Sequence, residues 1–266
     1  MAEKGEHQNV ARVAIVLDAL AMSKNHGMRL TDIVEATGLG TSVVHRLLAG
    51  LAAHGFVEFD KASNRYHVGL QMVRWAASST ERYGLAPFVG ESMERLAQET
   101  EDTVYFSLVS GLDAVCVDRR EGDYPIKTLT LNVGDRRPLG VGSGSMALLA
   151  FQAEEIIADV LENDDERRRE YGMDSDYIRA GVAEAQVSGH AIFEGKLIEG
   201  MSGIGVPICK TDGLAVAAIS IAALTPRLAG ERLTWVAELI KHECRLIQES
   251  ASGILNAPLI RRFSKH

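Results

Sequence analysis

The sequence predicts an α+β chain, with an N-terminal winged helix-turn-helix followed by an antiparallel sheet carrying packed helices. Two short helical patterns are joined by only four residues, "LGTS" (39–42). A hairpin pattern with cations near its tip follows directly. Beyond residue 100, strand-like runs come in pairs around tight turns instead of alternating with helices, which favours an antiparallel sheet over a doubly wound one.

The 266 residues suffice for two domains, and 46% hydrophobic with 24% charged residues is ample for real cores. No run approaches the ~20 apolar residues of a membrane helix. The first residues, "MAEKGEHQNVARV", lack a signal-peptide apolar region. A cytoplasmic protein without a membrane partner is expected. Cys116, Cys209 and Cys244 form no CxxC pair, which argues against a disulfide framework or a zinc site and predicts buried thiols. The net charge of −8 is unevenly spread: residues 1–80 carry eight Lys/Arg against seven Asp/Glu, leaving −9 for the rest. The near-neutral N-terminal part can approach DNA phosphates, while the acidic remainder would be repelled.

In the first helix, over 9–23, Val10, Val13, Ala14, Leu17, Leu20 and Ala21 recur at three- and four-residue spacing. Thr31 can cap a second helix, "DIVEATG", which Gly38 ends. Thr41 or Ser42 can cap a third, whose apolar stripe runs through Val44, Leu47, Leu48, Leu51 and Ala52 up to Gly55. Runs 56–60 and 65–69 flank the turn "KASN" and form the wing. The third helix, as recognition helix, turns Thr41, Ser42, Val43, His45 and Arg46 toward base edges and phosphates. Lys61, Arg65 and Tyr66 reach neighbouring phosphates or the minor groove. With Thr31 these form the expected DNA-binding set. A helix-turn-helix can also serve in a protein-binding module; the wing and the Arg-bearing face favour DNA. His45 has no second histidine at ligand spacing.

The stretch "TDIVEATGLGTSVVHRLLAGLAAHGFVEFDKASNRYHVGLQM" resembles the winged helix of IclR-type bacterial transcriptional regulators, whose motif runs roughly L-x-x-[ST]-x-[VA]-[HY]-R-[LI]-L. Leu39, Ser42, Val44, His45, Arg46, Leu47 and Leu48 match it. Thr41 and Val43 stand where the family often has Lys and Thr, removing one phosphate contact and offering a methyl surface for thymine. The resemblance spans nearly the whole chain and implies a C-terminal GAF-like effector-binding domain, operator DNA as partner, and self-association into a dimer or tetramer.

The expected domains are a DNA-binding module over 1–69, a helical linker over 70–84 and an effector-binding domain over 85–266. "APFVGESMERLAQET" reads as an amphipathic helix. "TVYFSLVSG" and "DAVCVDRREG" read as strands about "SGLD", and "IKTLTLNVG" alternates as a half-buried strand should. Helices are expected at 145–162 and 174–187, then strands "HAIFEGK", "SGIGVPICK" and "LAVAAISIAAL", the last two joined by "TDG". A long helix spans 230–250, followed by a basic tail "RRFSKH". The mixed charges of "ENDDERRREYGMDSD" read as a solvated surface.

The glycine-rich stretch "PLGVGSGSMALLAF" (138–151) fails the phosphate and nucleophile templates on named positions. Glycines at 140, 142 and 144 do not fit G-x-G-x-x-G, no lysine completes a P-loop, and neither Ser143 nor Ser145 has the glycines of a nucleophile elbow. The glycines could simply permit a tight turn. What remains beyond that is a helix start, whose free N–H groups and partial positive charge suit a carboxylate. The resemblance makes this loop one wall of the effector pocket, with Gly140 and Met146 replacing a family His and Lys. By the same resemblance Phe193 replaces an Asp and Gly203 a Cys; Ser220 matches a pocket serine and Ala222 replaces a second. The expected effector set is therefore Gly140, Val141, Gly142, Ser143, Gly144 and Ser145, joined by Phe193, Gly203, Ile204, Ser220 and Ala222. A small carboxylate with an apolar or aromatic body near Phe193 is the expected ligand. No catalytic residues, metal ligands or cofactor are expected. The rivals are an enzyme with an incidental N-terminal domain and a sensor that binds only partner proteins.

Overall fold

The computed structural model describes residues 3–23, 26–76, 85–163 and 165–255. The chain divides into two compact units, Met1–Arg82 and Tyr83–His266.

The first unit contains α1 (Glu3–Met22), α2 (Leu30–Thr37), α3 (Thr41–Ala53) and a hairpin of β1 (Val57–Asp60) and β2 (Arg65–Val68). Its core joins Val16 and Leu20 of α1 to Ile33, Val44, Leu48, Leu51 and Val57. Each such side chain contributes roughly 1.5–3 kcal/mol when taken from water. The α1 stripe is rotated from the expected one: Val16 is buried, whereas Val10 is 71% exposed. Helix α2 begins one residue before Thr31, after Arg29. Asp32, not Thr31, holds its start, accepting the Arg29 N–H at 3.0 Å. Similarly Gly40 precedes α3, and neither Thr41 nor Ser42 caps it. In the wing turn the Asp60 carboxylate accepts the N–H groups of Ala62 (2.9 Å) and Ser63 (3.2 Å), and Asn64 takes the left-handed conformation. Of the expected linker helix, 71–76 is helical; 77–84 lies outside the described residues, as does the basic tail.

The second unit is built on a six-stranded antiparallel sheet. Its strands are β3 (Thr103–Ser110), β4 (Asp113–Glu121), β5 (Arg136–Pro138), β6 (Ala191–Glu194), β7 (Met201–Cys209) and β8 (Ala215–Leu224), in the order β5-β4-β3-β8-β7-β6. The register of the central pair places Ile204 opposite Ile221 and Gly205 opposite Ser220. Successive side chains of a strand point to opposite faces. Thus Ile204, Val206, Ile208, Ala217, Ile219 and Ile221 pack under α4 (Ala86–Thr100) and α9 (Gly230–Ser250). The opposite face receives α5 (Ser143–Ala150), with α6 (Glu154–Asn163) and α8 (Ser175–Ser188) around it. Two short helices, α7 (Asp165–Arg169) and α10 (Ser252–Leu255), complete the unit.

Two expectations fail here for identifiable reasons. Residues 126–134 do not form a strand, because side chains satisfy much of their backbone. Tyr105 donates its hydroxyl to the Thr128 carbonyl and accepts the Thr130 N–H (3.0 Å). Arg137 and Arg119 donate to the carbonyls of Thr130 (2.7 Å) and Leu131 (3.0 Å). The charged stretch 162–176 is not wholly solvated either: Arg168 is fully buried and donates to the Val160 and Leu161 carbonyls near the end of α6. Asp174 accepts the Tyr177 N–H at 2.8 Å and starts α8.

Candidate functional site

The glycine-rich stretch delivers the chain from β5 into α5, whose eight residues are all buried. Gly142 turns that corner at φ +92°, a conformation that L side chains rarely adopt. The first helical amide with an intrahelical acceptor is that of Met146, bonded to the Gly142 carbonyl at 2.8 Å. Helix geometry therefore leaves the N–H groups of Ser143, Gly144 and Ser145 without intrahelical partners, at the positive end of the helix dipole. The start of α5 rests directly on β7. A Cβ at Gly205 would stand 2.4 Å from the Ser143 carbonyl oxygen, and one at Gly203 would stand 2.7 Å from Ser143 Oγ. Only glycine permits this approach.

Beside the α5 start opens a cleft of about 660 Å³, its mouth included. Of the expected effector set, the fold brings Val141, Gly142, Ser143, Gly144 and Ser145 to its wall, together with Phe193, Gly203, Ser220 and Ala222. Gly140 and Ile204 do not line it. Gly140 is buried against Ile178 and Leu149, and Ile204 points through the sheet into the core under α4 and α9. Met146 packs onto Gly181 of α8 and is likewise remote from the cleft lining. Phe193 is 5% exposed and meets Tyr177 edge-on, with ring centroids 5.7 Å apart. The Ser145 hydroxyl donates to the Pro138 carbonyl at 2.8 Å, so its proton is committed while its lone pairs remain.

The cleft also contains polar groups that sequence reasoning passed over. Arg137 lines it, and its Nη1 lies 3.2 Å from where a Gly142 Cβ would stand. Burial lowers the pKa of this guanidinium, although Arg stays charged at any ordinary pH. Lys196 also lines the cleft, with its Nζ 5.1 Å from the Tyr177 ring centroid. Burial also pushes the Tyr177 hydroxyl pKa up. Among the described lining residues there is no Asp, Glu or His. The available signal was "DRRPLG": two arginines immediately before the glycine loop.

In the first unit, Thr41, Ser42, His45 and Arg46 are exposed together on α3, while Val43 is half-buried beside them. Thr31 is exposed on α2 with its hydroxyl on Asp32. Lys61 is exposed at the wing turn. Two expected DNA-facing residues have structural occupations. Arg65 donates to the Gly27 carbonyl at 2.8 Å, and Tyr66 packs on the core and on Phe59 at 4.7 Å.

Cys116 and Cys244 are buried and Cys209 is half-buried, all as free thiols. Burial pushes Cys116 and Cys209 up to about 11. No described group of His, Cys, Asp and Glu could hold a metal ion, and no described helix is long and apolar enough to cross a membrane.

Comparison with known proteins bears on both units. The family models "IclR helix-turn-helix domain" and "Bacterial transcriptional regulator IclR C-terminal" match residues 9–61 and 77–249. The chain is 26% identical to the HTH-type transcriptional regulator KipR of Bacillus subtilis over 80% of this chain and 86% of that protein. It is also 26% identical to the HTH-type transcriptional repressor AllR of Escherichia coli, over 97% and 94%. Among solved structures, an IclR transcriptional regulator from Alicyclobacillus acidocaldarius aligns with TM-score 0.77 at 21% identity, covering 91% of this chain and 98% of that one. An IclR homologue from Microbacterium hydrocarbonoxydans, complexed with 4-hydroxybenzoate, aligns with TM-score 0.76 at 21% identity, over 93% and 98%.

Proposed function

The chain belongs to the IclR family of bacterial transcriptional regulators, and from that premise we propose that its operator binding is controlled by a small organic carboxylate held in the cleft beside α5. The DNA-binding part of this reading places Thr41, Ser42, Val43, His45 and Arg46 of α3 in the major groove, with Lys61 of the wing on a flanking phosphate. The reading takes 1–69 as the DNA-binding module, joined through 70–84 to an effector domain over 85–266. The protein acts as a dimer or dimer of dimers on paired half-sites about 34 Å apart, or a multiple of that.

The observation that carries the effector reading is the juxtaposition of the free α5 amides with the Arg137 guanidinium in a cleft whose wall also holds Phe193. An anion there gains backbone donors, a helix dipole and a cation in a partly desolvated setting. Phe193, backed edge-on by Tyr177, gives an aromatic or aliphatic body a place to pack. The 4-hydroxybenzoate bound by the Microbacterium homologue is itself an aromatic carboxylate and supports this reading by analogy. Effector binding shifts the population of linker arrangements and so the spacing of the DNA-binding heads. Calorimetry with a panel of aromatic and aliphatic monocarboxylates tests the ligand class. Binding of aromatic acids, weakened by Phe193→Asp, is expected; binding of short polar acids alone, or an unchanged affinity in Phe193→Asp, would contradict it.

A further inference from the structure

The two cations of the cleft stand at different places and neither has a described carboxylate partner. Arg137 sits beside Gly142 at the start of α5 and spends one nitrogen on the Thr130 carbonyl. Its neighbour Arg136 shows the ordinary alternative, pairing with Asp113 at 2.9 Å. Lys196 stands over the Tyr177 ring, which itself meets Phe193 edge-on. Lys196 is exposed, while Phe193 is buried. Two positive groups and no described acidic lining residue, within residues 81–266 whose net charge is −9, are a local inversion of sign. Arg137, half-buried and without a described carboxylate partner, gains most from an arriving anion, while the exposed Lys196 stays hydrated until one pairs with it.

We infer that the cleft takes a ligand with two anionic groups on one apolar body: one held by Arg137 and the α5 amides, the other by Lys196. The apolar middle packs on Phe193, against which Tyr177 stands edge-on. The inference rests on the carboxylate reading above and narrows it from a monoacid to a diacid. Lys196 is the specificity-determining residue, because the α5 amides and Arg137 serve a monoacid equally well.

The test compares benzoate with benzene-1,4-dicarboxylate, and hexanoate with adipate, by calorimetry on the full chain at constant ionic strength. Each diacid is expected to bind about fivefold or more tightly than its monoacid, the contribution of one partly exposed ion pair at the upper end of its range. Lys196→Met is expected to bring the diacid to the level of the monoacid. Lys196 is exposed, so this variant folds as the parent does. Arg137→Gln is expected to weaken both acids of a pair alike, by about tenfold or more. Equal affinity within both pairs, or a Lys196→Met variant that still prefers diacids, would overturn the two-anion inference and leave the carboxylate reading standing. Failure of all four acids to bind would overturn both.

Discussion

The two faces of the central sheet are made by the same strands and do opposite work. Along β7 and β8, Ile204, Val206, Ile208, Ile219 and Ile221 turn toward α4 and α9 and form a dry aliphatic layer. The alternate positions Gly203, Gly205, Ser220 and Ala222 are small. That smallness lets the backbone of α5 sit against the strands and leaves a cleft beside its first turn. One face stabilises by filling space, the other functions by leaving it. A period of two in the side chains is sufficient to separate the roles.

Substitutions on the two faces should therefore fail differently. The largest effect is expected from Ile219→Ala on the filled face, a loss of about 2–5 kcal/mol in urea unfolding with acid binding unchanged in the folded fraction. If acid affinity fell in parallel, the two faces would not be separable. Gly205→Ala on the open face should cost less stability, about 1–3 kcal/mol, yet abolish acid binding, because the new methyl group pushes the Ser143 carbonyl and the α5 start away. Retained acid affinity in that variant would show that the α5 approach is dispensable.

The first unit provides a control remote from either face in function. Arg46→Ala should weaken operator binding about tenfold or more with stability and acid affinity unaltered; unchanged retardation of operator DNA would remove Arg46 from the interface. The smallest effect lies in the pH profile of the filled face. Burial alone would raise the carboxyl of Glu243, but the hydrogen bonds and charge of Arg95, with Ser92, outweigh it and hold the pKa below the ordinary value. The Arg95 fork meets this carboxylate at 3.0 and 2.8 Å. A depressed folded-state pKa contributes stability that is present above the ordinary carboxylate range and is lost as pH falls through the folded value. Glu243→Gln should thus flatten the acid limb of the stability profile and leave acid binding untouched. A limb as steep as the parent's would assign that acid sensitivity to other carboxylates.

The helices and most strands were legible because their signals are local. The stripe Val44, Leu48 and Leu51 specifies α3, the "TDG" turn separates β7 from β8, and the apolar spacing over 230–250 specifies α9. The α5 wall of the cleft was legible for the same reason, since a run of glycines and serines opening a helix is a local pattern. Residues 126–134 alternate like a strand, yet their backbone partners are Tyr105, Arg119 and Arg137, which local patterning cannot assign. Arg168 sits in a charge run that looks solvated, and only the fold buries it at the end of α6. Arg137 and Lys196 lie 59 positions apart, and only the sheet and α5 bring them to one cleft.

The central claim is that an acid bound beside α5 changes DNA binding by α3. Its most direct measurement is the retardation of the upstream intergenic DNA by the full chain, titrated with and without saturating 4-hydroxybenzoate and benzene-1,4-dicarboxylate. Specific retardation is expected, with a midpoint that shifts with at least one of these acids and a shift that disappears in Gly205→Ala while its retardation of DNA persists. Retardation indifferent to both acids, although calorimetry shows them bound, would contradict it.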